Sequence, residues 1–415
     1  MNSSTHQNKV PPKKALEGLK VADFSWATTG PLATRLLADH GATVVKIEST
    51  KKIDILRTGG PYAEDIPGIE RSGNFAQFNA NKYSISLDLS KPKGIEVAKK
   101  LVAWSDVVVE NFRAGAMNKM GLSYSVLEKI RPGIIMISNS MQGQTGPHAS
   151  QVGYGIMLQA LAGITNLVGW PDREPVGVSI PYTDFVSPFY ILVALLGCLE
   201  HRRRTGRGQY VDLSAFEGGA TFFSTAFLDY STNGRTAERN GNADDNAAPH
   251  GVYQCQGDDR WVAISVFTKE QWKGFCRVLG NSCQWTKSLE FTTLKLRKEN
   301  EEGLNRLIEE WTSTQEAADI MRQMQAVGVP CGTVKDARDL YEDPQLKLRG
   351  YFNELDHPDV GHTTYYSPTF LLSKTKAELK TPAPCLGQHT EYVCSQFLGM
   401  SDEEFIEVLA SGAFE

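Results

Sequence analysis

The sequence predicts an α/β protein, a Rossmann-like doubly wound large domain followed by a smaller α+β domain. Three observations carry this. Short β-branched runs alternate with helix-like segments from Leu19 onward. The 415-residue length exceeds what one small core needs. After Gly218 the alternation gives way to a polar stretch, then a hairpin and amphipathic helices.

In chain order, "MNSSTHQNKVPPKK" lacks the apolar core of a signal peptide and reads as a polar tail ending in a turn. "VADFS", "TVVKIES", "SISLDL", "DVVVEN" and "GIIMISNS" read as strands, with helices in "PLATRLLADHG" and "GIEVAKKLVAWS". The longest apolar run, Phe189 to Leu199, is too short to span a bilayer and reads as a buried helix. "YSTNGRTAERNGNADDNAAPHG" is polar, rich in Asn and Gly, and reads as a linker or active-site loop. "GVYQCQ" and "RWVAISV" read as a hairpin around "GDDR", with helices in "KEQWKGFCRVLG", "NRLIEEWTS" and "EAADIMRQMQAVG". "CGTV", "YFNEL" and "HTTYYS" read as short strands, and "DEEFIEVLASG" as a closing helix. The expected divisions are a tail over 1–15, the large domain over 16–225, linker and small domain over 226–335, and a C-terminal segment returning to the large domain over 336–415.

Composition excludes several function classes. With 41% hydrophobic and 22% charged residues and a net charge of −5, nothing attracts nucleic acid or an anionic membrane. The seven cysteines are scattered, without a C-x-x-C pair, so neither a disulfide framework nor a zinc site is expected and a reducing, cytoplasmic compartment fits. No G-x-G-x-x-G or P-loop motif supports a dinucleotide or ATP, no G-x-S-x-G elbow supports a serine hydrolase, and the histidines form no metal-binding pattern.

Four places bear on the chemistry. In "SWATTGPLATRLL" a strand ends at a Thr-Thr-Gly-Pro turn, and Pro31 opens the next helix, where free N–H groups either accept an anion or belong to an ordinary turn. In "ENFRAGAMNKMGL", Asn111, Phe112, Arg113 and Lys119 follow a strand and offer an amide, a ring and two cations, a set suited to a nucleotide; taken singly each reads as a surface residue. The basic run "HRRRTGRGQ" closes the apolar helix, where cations complement the dipole. Asp184 in "IPYTDFVSP" reads either as a dipole-complementing residue at a helix start or as a nucleophile. Pro188 makes Ser187 the expected N-cap and leaves Asp184 just outside the helix, free to face a cleft.

Taken in order, "GPLATRLLADHGATVVKIE", "NANKYSISLDLSKPKG", "DVVVENFRAGAMNKMGL", "GQTGP", "TDF", "RRRTGRGQYVDLSAFE", "HGVYQCQGDDRWVAI", "VPCGTV" and "LGQHT" resemble the class III CoA-transferases. This is the CaiB/BaiF-type family of formyl-CoA transferase and carnitine CoA-transferase. The resemblance implies that CoA moves from an acyl-CoA donor, succinyl-CoA among the candidates, to a carboxylic acid through an aspartyl-acyl anhydride on Asp184. It implies CoA contacts at Leu87, Asn111, Phe112 and Lys119, with the backbone around Thr28 and Gly30 bordering the thioester. It also implies acyl-CoA as substrate with no tightly bound cofactor or metal, and a ring-like subunit in an interlocked homodimer, or a heteromer with a related subunit.

Formyl-CoA transferase has glutamine where this chain has Thr28 and arginine where it has Ser49, and its glycine-rich loop is not reproduced by "NGNADDNAAPHG". A bulkier acid than formate or oxalate is therefore expected. Two other functions fit the same resemblance. One is α-methylacyl-CoA racemase, which needs a histidine where this chain has Tyr154. The other is a non-catalytic subunit of a heteromeric transferase, against which the retained Asp184 stands.

Overall fold

The computed structural model describes residues 14–280 and 283–415, so most of the expected polar tail lies outside the described residues. In the first half of the chain, β1 (Lys20–Asp23), α1 (Thr29–Asp39), β2 (Thr43–Glu48), α2 (Gly73–Asn79) and β3 (Tyr83–Ser86) follow one another. Next come α3 (Pro92–Trp104), β4 (Val107–Glu110), α4 (Ala116–Lys119), α5 (Tyr124–Ile130) and β5 (Ile135–Ser140). They lead to α6 (Gly155–Leu161), α7 (Tyr182–Thr205), β6 (Tyr210–Ser214), α8 (Ala215–Ala220) and α9 (Ser224–Asn233). The remainder contains β7 (His250–Gln254), β8 (Trp261–Ser265), α10 (Lys269–Leu279), α11 (Glu301–Thr312), α12 (Ala317–Ala326) and β9 (Cys331–Thr333). It closes with β10 (Phe352–His357), β11 (Gly361–Tyr366) and α13 (Asp402–Ala410).

The chain forms two compact units. Residues 14–165, 177–235 and 347–415 make the larger, and residues 166–176 and 236–346 the smaller. In the larger unit the strands pair in the order β3-β2-β1-β4-β5-β6, all parallel. Because successive strand side chains point to opposite faces, Val21, Val44, Val107, Val109, Ile135 and Ile137 pack with Ala33 and Leu37 of α1 and Ile191 and Leu195 of α7. Ala22, Val45, Ile85, Val108 and Met136 pack on the other face with Val97 and Leu101 of α3 and Leu127 of α5. Val393, Cys394, Met400, Val408 and Ala413 from the end of the chain join this second cluster. Both faces are covered, as parallel strands joined by crossover helices require. Strand order reverses between β1 and β4, so the loops after these two strands diverge and leave a crevice at their carboxyl ends.

The smaller unit holds an antiparallel sheet, β7-β8-β9. Val262, Ile264, Trp272, Phe275, Leu304, Ile308, Ile320 and Met324 form its core. The hairpin expected around "GDDR" is the β7–β8 turn, and "YFNEL" with "HTTYYS" forms the β10–β11 hairpin of the larger unit.

Two expectations change. The stretch after Gly218, where periodicity weakens, is helical in α8 and α9; Phe222, Phe227, Leu228 and Tyr230 stay exposed, so no one-sided apolar stripe announces these helices. The apolar run at Phe189–Leu199 belongs to a 24-residue helix that is long and apolar enough, by length and composition, to cross a membrane, and only a third of its most apolar window is buried. Ile191, Leu195 and Cys198 face the core, whereas Phe189, Val193 and Leu196 are more than half exposed.

Candidate active site

The start of α7 corrects the sequence reading of Asp184. The helix begins at Tyr182 with Pro181 in the N-cap position, which places Asp184 in its first turn rather than outside it. Ser187 does not cap; its hydroxyl donates to the Thr183 carbonyl four residues back, 2.8 Å away, a bond that lets the helix run through it. Pro188 then lies inside the helix and has no N–H to give the Asp184 carbonyl.

The Asp184 carboxylate makes no hydrogen bond or ion pair with any described residue. Burial alone pushes its pKa up from 3.8 to about 6. At neutral pH it is ionised, poorly solvated and unpaired, the state in which a carboxylate is most nucleophilic.

Asp184 lines a cavity of about 340 Å³ whose wall includes Trp26, Thr28, Asn111, Phe112, Asn139 and Tyr154. A larger cavity, about 700 Å³, is lined by Leu87, Ser49, Lys51, Lys52, Phe112 and Arg113 among others. Trp26 and Phe112 line both. Trp26, Leu87, Phe112 and Asn139 lie just past the ends of β1, β3 and β4 or at the end of β5, so the site occupies the carboxyl edge of the sheet at its reversal point. A third cavity, about 450 Å³, is lined by Thr43 and Tyr83 at the starts of β2 and β3, and shares no lining residue with the other two.

The turn from Ser25 to Gly30 is built by buried side chains. Asp23 accepts the Ser25 N–H at 3.0 Å and the Ser25 and Thr34 hydroxyls. Burial pushes the Asp23 pKa up, but Lys82, Lys46 and these hydroxyls outweigh it and hold it below the ordinary value. Gly30 is required here, since an added Cβ would stand 2.2 Å from the Ser25 Cβ. No side chain among the described residues caps α1, which leaves first-turn N–H groups available to a ligand or solvent. At the end of β4, Glu110 accepts the Phe112 N–H at 2.7 Å, and burial raises its pKa to about 7.

The residues expected from the sequence are distributed as follows. Asp184, Thr28, Asn111 and Phe112 come together at the smaller cavity, and Leu87 and Phe112 at the larger. Gly30 lines neither and serves the packing of α1 on Ser25. Lys119 is exposed at the end of α4 and also lines neither. The cations at the larger cavity are instead Lys51, Lys52 and Arg113. Lys51 pairs with Glu415 at 3.1 Å, while Lys52 and Arg113 pair with no described residue.

Sequence reading missed Lys51, Lys52, Asn139 and Ser140, although they too follow or end strands and the rule that found Asn111 would have found them. Asn139 Oδ1 and Ser140 Oγ are buried at the smaller cavity without a partner among the described residues. Gly155 carried no signal. The described residues hold no cluster of side chains suited to a metal ion.

The sequence profile of CoA-transferase family III matches residues 16–390. Succinyl-CoA–D-citramalate CoA-transferase of Chloroflexus aurantiacus is 30% identical over 393 residues, covering 95% of this chain and 96% of that protein. The succinyl-CoA–L-malate CoA-transferase beta subunit of the same organism is 32% identical over 394 residues, covering 94% and 95%. The crystal structure of a CaiB/BaiF family protein from Brucella suis superposes with a TM-score of 0.83 at 30% identity, covering 93% of this chain and all of that one.

Proposed function

The chain belongs to CoA-transferase family III, and from that premise we propose that it moves CoA between carboxylic acids with Asp184 as the nucleophile. The observation that carries this is the unpaired, desolvated Asp184 carboxylate in a cavity bordering a larger one with three cations.

In this reading the CoA phosphates lie toward Lys51, Lys52 and Arg113, and the thioester reaches Asp184. The carboxylate oxygen attacks the acyl carbon and the C–S bond breaks with its electron pair leaving on sulfur, giving an aspartyl anhydride and CoA thiolate. The thiolate attacks the aspartyl carbonyl, releasing the donor acid and leaving CoA on Asp184. The acceptor carboxylate attacks that thioester and expels CoA thiolate, giving a second anhydride between the acceptor and Asp184. The thiolate then attacks the acceptor carbonyl, forming the new acyl-CoA and freeing the Asp184 carboxylate. Overall one thioester is exchanged for another of similar energy, so positioning and desolvation supply the acceleration and no ATP is consumed.

Several further points belong to this proposal. The donor is succinyl-CoA, in keeping with the names of both curated relatives. The working form is a homodimer, supported by the apolar side chains that α7 leaves exposed at Phe189, Val193 and Leu196; the expected compartment is the cytoplasm. The racemase alternative loses support because, among the described residues, no histidine lines either cavity, and Tyr154, where that histidine is expected, is 65% exposed.

The test is mass spectrometry of the protein incubated with a panel of acyl-CoAs and trapped with hydroxylamine. Hydroxamate at Asp184 is expected with active donors, and Asp184→Ala should lower exchange by on the order of 10⁴-fold or more. Full exchange by Asp184→Ala would end the proposal.

A further inference from the structure

Trp26 and Phe112 each line both cavities, with ring centroids 5.7 Å apart in an edge-to-face arrangement. They are the wall that the two cavities share. A ligand with its nucleotide in the larger cavity and its thioester at Asp184 has to pass this pair.

Side chains hold the backbone at that wall. Asn111 Oδ1 accepts the Trp26 N–H at 2.8 Å, and Asn111 Nδ2 donates to the Trp26 carbonyl at 2.7 Å. Asp54, wholly buried, accepts the Ala27 N–H at 3.1 Å through Oδ1, while its Oδ2 pairs with Lys46 at 3.1 Å. Lys46 in turn donates to the Ser25 carbonyl at 2.9 Å. The turn is held against its own preference, since Ala27 has φ of +57°, a conformation a non-glycine residue keeps when its surroundings impose it.

We infer that Asn111 and Asp54 are positioning residues for acyl transfer, acting through the Trp26–Ala27 turn, and that Asn111 serves this clip rather than acting as a ligand of CoA. An asparagine amide has one acceptor oxygen and two N–H donors. Here the oxygen and one donor are committed to the backbone N–H and C=O of one residue, Trp26, so loss of the side chain frees the wall before it costs any contact to CoA. Asp54 adds a charge-assisted hold, its carboxylate bridging a buried ammonium and a backbone N–H. The inference rests on the reading of the two cavities as the acyl-CoA site.

The experiment compares the full-length protein with Asn111→Ala, Asn111→Asp and Asp54→Asn by three measurements. These are amide hydrogen exchange in the segment containing Trp26 and Ala27, the dissociation constant for free CoA, and kcat at saturating acyl-CoA. For Asn111→Ala, exchange should rise on the order of tenfold. Its kcat should fall on the order of 10- to 100-fold while CoA affinity changes by no more than about twofold. Asn111→Asp keeps the acceptor for the Trp26 N–H and loses the donor to the Trp26 carbonyl, so it should show the same split if the alanine variant does not fold. Asp54→Asn keeps an acceptor for Ala27 and removes the negative charge that pairs with Lys46, and should raise exchange at Ala27.

Unchanged exchange in the Asn111 variants would overturn the clip, as would a loss of CoA affinity with kcat retained, which would make Asn111 a ligand. Raised exchange in the variants together with a wild type that transfers CoA from no donor would overturn the proposed function and leave the clip standing.

Discussion

A Cβ built on Gly155 would stand 2.7 Å from Oδ2 of Asp184 and 2.4 Å from the Cβ of Pro181. The place a side chain would take at the start of α6 is occupied by the carboxylate. Gly155→Ala is therefore expected to displace the nucleophile and lower kcat on the order of 100-fold, with little change in KM for acyl-CoA. Steady-state kinetics checks this, and an unchanged kcat would show that the carboxylate shifts aside without consequence.

Asp184 should set the acid limb of the pH profile. With its pKa raised to about 6, single-turnover acylation is expected to fall about tenfold per pH unit below 6 and to level off above 7. The same shift makes the residue a stability cost. Between 3.8 and about 6 the folded chain holds a proton that the unfolded chain has lost, so stability declines as pH rises through that window. Asp184→Asn should melt higher than wild type at pH 7, and the difference should close as pH falls toward 4. Thermal denaturation at several pH values tests this, and identical melting curves at pH 7 would contradict it.

Lys52 and Arg113 are exposed, pair with no described residue and line the larger cavity. Replacing either by alanine should raise KM for acyl-CoA by roughly tenfold at low salt, with kcat nearly retained and the penalty shrinking as salt is added. A fall in kcat alone would move these cations from binding to the reaction itself.

Thr28 is 8% exposed and lines the cavity of Asp184. Thr28→Gln adds bulk to a space of about 340 Å³ and should lower kcat/KM for branched or aromatic acids by on the order of tenfold, while formate is little affected. Competition between a small and a bulky acceptor acid gives the ratio directly. Equal loss for both would show that Thr28 does not set acceptor size.

Much of the fold was legible from local pattern. β-branched runs separated by amphipathic segments can bury themselves only as a parallel sheet with helices on both faces, which is where Val21, Val44, Val107 and Ile135 are found. Asp184, Asn111 and Phe112 were legible through ordered motifs around them, and the structure brings all three to one cavity. The cap of α7 was not, because Ser187 bonds either forward to a helix start or back to a carbonyl, and the packing of Ile191 and Leu195 on the sheet decides which. Helices α8 and α9 escaped because their apolar side chains are not gathered on a buried stripe.

By itself, then, the sequence determined the α/β class, the family and the single carboxylate on which the chemistry is proposed to turn, since each is written in periodicity or in contiguous motif. Only the tertiary structure decided the walls of the site. The strand order β3-β2-β1-β4-β5-β6 brings Ser49, Leu87, Trp26, Phe112 and Asn139 from five strand ends to one edge. It also turns the Asn111 amide toward the Trp26 backbone, 85 residues away in the chain. Contacts between segments that distant are set by how strands pair and twist, and no local pattern of residues encodes them.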